Sequence, residues 1–244
     1  MKHLVLASIF YLFFLLLLLK KDKNDGEKEL FKKQYWKSSH VIAVIMTIIL
    51  YGYLINFLVG FRCLWPLLRI SVLFQSQLLF FLLLLALFHF DMKQGLEILG
   101  FKRRNLKKAI GLSLLAVVVL FAPHFLHEIF IRGNHPLYFP QKLKGVDRYV
   151  YVILAIIISP VVEESLYRGV LYSPYRKKFG PTIAIIINAC IFYLGHYMFG
   201  IYLNPILSLV CCLFYEKTES IYPSIFTHGL NNLFGLLIVF NVIK

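Results

Sequence analysis

Residues Tyr149 to Tyr172 read YVYVILAIIISPVVEESLYRGVLY, an apolar run of membrane-spanning length that carries two adjacent acids, Glu163 and Glu164, and a cation, Arg168. About 20 mainly apolar residues cross the hydrocarbon of a bilayer. An ionised group at the centre of such a helix costs roughly 2.5 to 3.5 kcal/mol on insertion scales, so charges at that depth mark function by default. In a helix, Glu164 and Arg168 are i and i+4 neighbours and can pair. Glu163, rotated by about 100 degrees, is left to face another partner. Two adjacent acids can therefore have different tasks, one structural and one as a general base.

The remainder of the chain supports the same setting. Of 244 residues, 59% are hydrophobic and 16% charged, and the mean hydropathy is +0.74. Eight candidate spans follow: His3 to Leu19, Val41 to Val59, Ile70 to Phe90, Ala109 to Ile131, Tyr149 to Tyr172, Pro181 to Phe199, Ile201 to Tyr215 and Ile221 to Val242. The expected fold is all-α, a polytopic transmembrane helical bundle with no soluble domain. Strict two-residue alternation is missing, which removes the β-barrel. The opening Met-Lys-His and leucine run are similar to a signal peptide, but no small-residue cleavage site precedes Lys20, so we expect a retained first span.

A net charge of +14 does not point to nucleic acid, because the basic residues are spread over several loops. On the eight-span reading, 18 of the 26 Lys and Arg fall on one side, counting Arg168, Arg176, Lys177 and Lys178 as one connecting segment. The positive-inside rule makes that side cytoplasmic and puts both termini outside the cytoplasm in a multi-pass cell-membrane protein. The run Lys20 to Lys37 reads as a cytoplasmic loop attracted to anionic lipid. Cys63, Cys190, Cys211 and Cys212 have no CxxC spacing and read as small buried hydrophobes. His124, His127 and Glu128 sit at a span end, where interfacial solvation explains them.

Two further polar stripes accompany the acids. Asn188, Phe192 and His196 are spaced i, i+4 and i+8 on one helix face, and His228 and Asn232 are i and i+4 on another. The basic segment Arg176-Lys177-Lys178 is read as the loop of a hairpin, with Glu163 and His196 about 20 to 27 Å from it at 1.5 Å per residue. A carboxylate and an imidazole facing a water can activate it, while a second imidazole and a carboxamide can donate to an oxyanion. That equipment suits hydrolysis of a peptide bond without a serine or cysteine nucleophile. The same types, Glu163, His196 and His228, could instead bind zinc, although HExxH is missing.

At these residues the sequence resembles the CPBP family, the CAAX protease and bacteriocin-processing membrane proteins also called Abi. Glu163-Glu164-x-x-x-Arg168 is similar to its EExxxR motif, Phe192-x-x-x-His196 to FxxxH, and His228-x-x-x-Asn232 to HxxxN. The resemblance covers Tyr149 to Asn232, with Thr218-Glu-Ser-Ile-Tyr-Pro-Ser before the last motif, and adds only the element from Leu99 to Arg104 upstream. It implies an intramembrane endopeptidase in which Glu163 and His196 activate water, His228 and Asn232 stabilise the oxyanion, and Glu164, Arg168, Phe192 and Asn188 organise the site. No cofactor is implied, with zinc as the alternative. Residues 1–108 would form three N-terminal spans with basic loops and 109–244 the catalytic core. The implied substrate is a peptide or membrane protein, in peptide or bacteriocin maturation or self-immunity. The other reading is a non-proteolytic immunity or regulatory protein that binds such a partner.

Overall fold

The computed structural model describes residues 46, 96–102, 107, 110–118, 120, 143–198 and 205–240, with side chains for all of these except 195–198, 205 and 239. Apart from Met46, the three expected spans before residue 95, both termini, Cys63 and the His124, His127 and Glu128 group lie outside the described residues. Among the described residues every regular element is helical and none is a strand.

One helical path dominates. It runs through α2 (Gly145–Ile153), a π-helical segment π1 (Leu154–Ile158), α3 (Ser159–Glu164), a second π-helical segment π2 (Ser165–Tyr172) and α4 (Ser173–Met198), following a short helix α1 over residues 110–118. The stretch Gly145–Leu194 is long and apolar enough to cross a membrane, with a mean hydropathy of 1.7 in its most apolar window. Val146, Tyr149, Ile153, Ile157, Ile183 and Leu194 point outward from it, an apolar surface that suits lipid.

Local chemistry accounts for both π segments. In π1 the Ser159 N–H donates to Leu154 O, five residues back. The next donor in that register would be residue 160, a proline with no N–H, and the ladder resets there. At π2 the Ser165 hydroxyl donates to Val161 O at 2.6 Å, a back-bond that competes with the helix ladder. The acid pair lies between the two resets.

The path reverses at Gly180, whose φ of 78° and ψ of 169° break α4 into two limbs. Glycine alone adopts that φ freely, and Pro181 forces its predecessor out of helical geometry before opening the second limb. This corrects the expected hairpin loop. Arg176, Lys177 and Lys178 are helical, and the turn lies two residues further on. Glu163, 17 residues before Gly180, and His196, 16 after it, thus stand at nearly equal heights on the two limbs.

Helix α5 (Pro205–Thr218) is the buried centre of the described bundle. It takes in residues 205–215 of the seventh expected span, Ile201 to Tyr215, and continues to Thr218. One side of it packs Leu207, Val210, Cys211 and Phe214 against Ala116 and Leu120, and the other packs Cys212, Leu213 and Tyr215 against Tyr172, Ala184 and Ile185. A turn with Glu219 at φ 52° leads into α6 (Tyr222–Val239). Residues 96–102 dock on that turn, with Ile221 N donating to Gly100 O at 2.8 Å and Ser220 Oγ to Lys102 O at 2.7 Å.

Candidate active site

The centre of the site is a buried ion pair. Arg168 Nη1 donates to Glu164 Oε1 at 3.0 Å, and neither side chain is exposed, as the i and i+4 spacing anticipates. Arg168 Nη2 continues to Ser208 O at 3.0 Å and Ser208 Oγ at 2.9 Å on α5. Its guanidinium also lies 4.9 Å from the ring centroid of Phe192 on α4. The arginine therefore ties π2, α4 and α5 together, which corrects its earlier place among the charges of a cytoplasmic segment. Burying both ions is costly in isolation, and the extra hydrogen bonds and the cation–π contact offset that cost.

Glu164 Oε1 has a second partner, His228 Nδ1 on α6, at 2.8 Å. That contact fixes the imidazole and turns its other nitrogen, Nε2, toward Glu163. Glu163 Oε2 is 3.9 Å from His228 Nε2, too far for a direct hydrogen bond. The two acids thus divide as their rotation about the helix requires. Glu164 is fully buried, whereas the Glu163 side chain keeps 20% of its surface accessible, although its Oε2, the oxygen facing His228, is itself buried.

Phe192 separates the limbs of this arrangement, edge-on to Tyr167 at 4.8 Å and to His228 at 5.8 Å between centroids. Asn188, one turn earlier, donates from Nδ2 to Tyr167 O at 2.6 Å and accepts from Cys212 Sγ at 3.2 Å. It satisfies a carbonyl within π2 and joins α4 to α5. His196 is one turn beyond Phe192 on α4, and its side chain lies outside the described residues. Asn232 donates from Nδ2 to Ala155 O at 2.8 Å, across to π1.

Close approach of α6 to π1 depends on Gly229. A Cβ there would stand 2.6 Å from Ile156 O, nearer than any side chain could be. Ser208 and Gly229 were not singled out in the sequence, and Cys212 was read only as a small buried hydrophobe, since a lone serine, cysteine or glycine in an apolar run has many ordinary explanations. The same is true of Glu216, which accepts from Tyr172 Oη at 2.9 Å and from Arg176 Nε and Nη2 at 2.8 and 2.9 Å, a separate clamp between α4 and α5. Among the described residues, no three His, Cys, Asp or Glu side chains converge to hold a metal ion. Glu163 Oε2 and His228 Nε2 offer two donors, and the third expected ligand is His196.

Comparison with known families places this geometry in context. Residues 145–234 match the family model described as Type II CAAX prenyl endopeptidase Rce1-like, a match that takes in all three motifs and agrees with the resemblance they carry. Neither the curated proteins nor the solved structures yield a match.

Proposed function

We propose that this chain is an intramembrane endopeptidase that hydrolyses a peptide bond with a glutamate-activated water. The observation that carries the reading is the buried chain Arg168–Glu164–His228, which presents Nε2 3.9 Å from Oε2 of Glu163, the less buried of the two acids. A base and a donor at that separation can address two different oxygens on one tetrahedral carbon. Glu163, assisted by His196 from the facing limb, takes a proton from water, and the resulting hydroxide attacks the scissile carbonyl. His228, protonated, donates from Nδ1 to Glu164 and from Nε2 to the oxyanion. Collapse of the intermediate breaks the C–N bond, and the proton held by Glu163 passes to the departing amine. Each step is complete without a cofactor.

The CAAX-type family match and the apolar surroundings favour a hydrophobic or lipidated peptide, or a membrane protein, as substrate. Peptide maturation or bacteriocin self-immunity is the setting we propose. The test is cleavage of a library of hydrophobic and lipidated peptides by detergent-solubilised protein, comparing wild type with Glu163→Gln and His228→Ala, with and without chelator. Loss in both variants and indifference to chelator support the reading. Equal cleavage by Glu163→Gln and wild type refutes it, and chelator sensitivity assigns Glu163 and His228 to a metal instead. A Glu163→Gln variant that keeps an immunity phenotype favours the non-proteolytic binding role.

A further inference from the structure

We propose that Glu216 is a positioning residue for the acid pair: by clamping Tyr172 and Arg176 it sets the register of α5 along the acid-bearing helical path, and so holds Ser208 where it meets Arg168. The catalytic arm rests on the proteolytic reading, and the structural arm rests on geometry alone.

Register is a real choice for α5. Its sequence PILSLVCCLFYEKT is apolar over most of its length, and in lipid an apolar side chain meets a neighbouring helix hardly better than it meets lipid tails. Polar contacts then select the height at which two helices dock. On α5 these come from Ser208, Cys212 and Glu216, four residues apart and hence on one face. Ser208 accepts from Arg168, and Glu216 accepts from Tyr172 and Arg176, three residues that also follow one another at steps of four and in the same direction. Cys212, between the two, donates to Asn188. A slide of α5 by four residues, about 6 Å, keeps the same face inward but brings the Cys212 thiol, a weak acceptor, to the level of Arg168.

The outermost of these contacts is the strongest. Glu216 Oε2 accepts from Tyr172 Oη at 2.9 Å and from Arg176 Nε at 2.8 Å, and its Oε1 accepts from Arg176 Nη2 at 2.9 Å. The arginine contact is bidentate and charge-assisted, and the Arg176 and Glu216 side chains are only 15% and 11% exposed. Residues 96–102 also brace this end of α5, through Tyr215 Oη to Leu99 O, but they meet π2 through apolar packing of Leu99 on Gly169. Glu216 ties α5 to the path directly and by charge.

Ser208 then passes that register to the chemistry. It receives Arg168 Nη2, Arg168 Nη1 donates to Glu164, and Glu164 meets His228. Glu216 lies eight residues, about 12 Å, along α5 from Ser208, so its effect on the reaction travels through the position of the helix.

A double-mutant cycle between Glu216→Gln and Ser208→Ala tests this, each variant read by kcat, KM and thermal unfolding in detergent. Sites about 12 Å apart with no shared partner ordinarily contribute independently, so coupling between them reports the register. We expect Glu216→Gln to lower kcat by about tenfold with KM within about twofold of wild type. Ser208→Ala should cost about tenfold in the wild type but about threefold or less in the Glu216→Gln background. Tyr172→Phe, which removes one of the three hydrogen bonds, replaces Glu216→Gln should that variant fail to fold. Wild-type kcat in a Glu216→Gln protein that unfolds at lower temperature would make the clamp merely structural and overturn the proposal, as would equal losses from Ser208→Ala in both backgrounds. Should no peptide be cleaved even by the wild type, the proteolytic reading fails separately, and the unfolding temperatures still decide the register: non-additive losses support it, additive losses refute it.

Discussion

Replacing Gly229 with alanine tests whether the approach of α6 to π1 sets the reaction geometry. The added Cβ would lie 2.6 Å from Ile156 O, 3.8 Å from Ile156 C and 3.9 Å from Pro160 Cγ. The nearest atom is backbone, so no side chain can swing away. A carbon–oxygen contact relaxes only at about 3.3 Å, which requires α6 to retreat by about 0.7 Å. His228 is the adjacent residue and moves with it, lengthening its 2.8 Å contact to Glu164 and its 3.9 Å separation from Glu163. Misplacement of a reacting group by about 1 Å costs on the order of 100-fold in rate, so a loss of roughly 10- to 100-fold in kcat is expected. Overpacking should also destabilise the protein by about 1 to 3 kcal/mol. Gly235, on the same helix with open space around its Cα, supplies the control. There alanine should stabilise by up to about 1 kcal/mol through helix propensity and leave kcat intact. Peptide cleavage and thermal unfolding of the two variants side by side provide the assay. Wild-type kcat in Gly229→Ala would show that the tight passage does not position His228, and would refute the reasoning.

Other expectations follow from single contacts. Arg168→Ala removes the guanidinium partner of buried Glu164 and leaves it only the His228 contact, which should cost about 3 to 5 kcal/mol, measured by unfolding in detergent, together with loss of cleavage. Glu163→Gln should lower kcat by about 100- to 10,000-fold while leaving the unfolding temperature near that of wild type, because its side chain is partly exposed and outside the Arg168 pair. Asn188→Leu strands the Tyr167 carbonyl and should destabilise by about 1 to 3 kcal/mol, whereas a neutral result would show that π2 does not depend on that bond. Gly180→Ala, at φ 78° with open space beside it, should cost about 1 to 2 kcal/mol from backbone strain alone, and an unchanged unfolding temperature would count against the hairpin geometry.

Much of the site could be read from residue spacing, because the i and i+4 rule is a property of any helix. Glu164 with Arg168 and the common height of Glu163 and His196 follow from 3.6 residues per turn and 1.5 Å of rise. Apolar composition likewise set the helical class and the membrane environment, since backbone groups in hydrocarbon must be bonded within their own segment. Spacing did not reveal the partners contributed by other helices. That Ser208 receives Arg168, that Glu164 rather than a second cation meets His228, and that Arg168 belongs to the core are consequences of how α5 and α6 pack on π2.

The sequence by itself determined the all-helical membrane character, the three motifs and the split of the acid pair into one carboxylate facing Arg168 and one rotated away from it, all of which depend on local periodicity and transfer energy. Tertiary structure alone decided that His228 stands 3.9 Å from Glu163, that Asn232 meets the Ala155 carbonyl and why Gly229 must lack a side chain, because those depend on the relative position of helices separated by 60 or more residues in the chain.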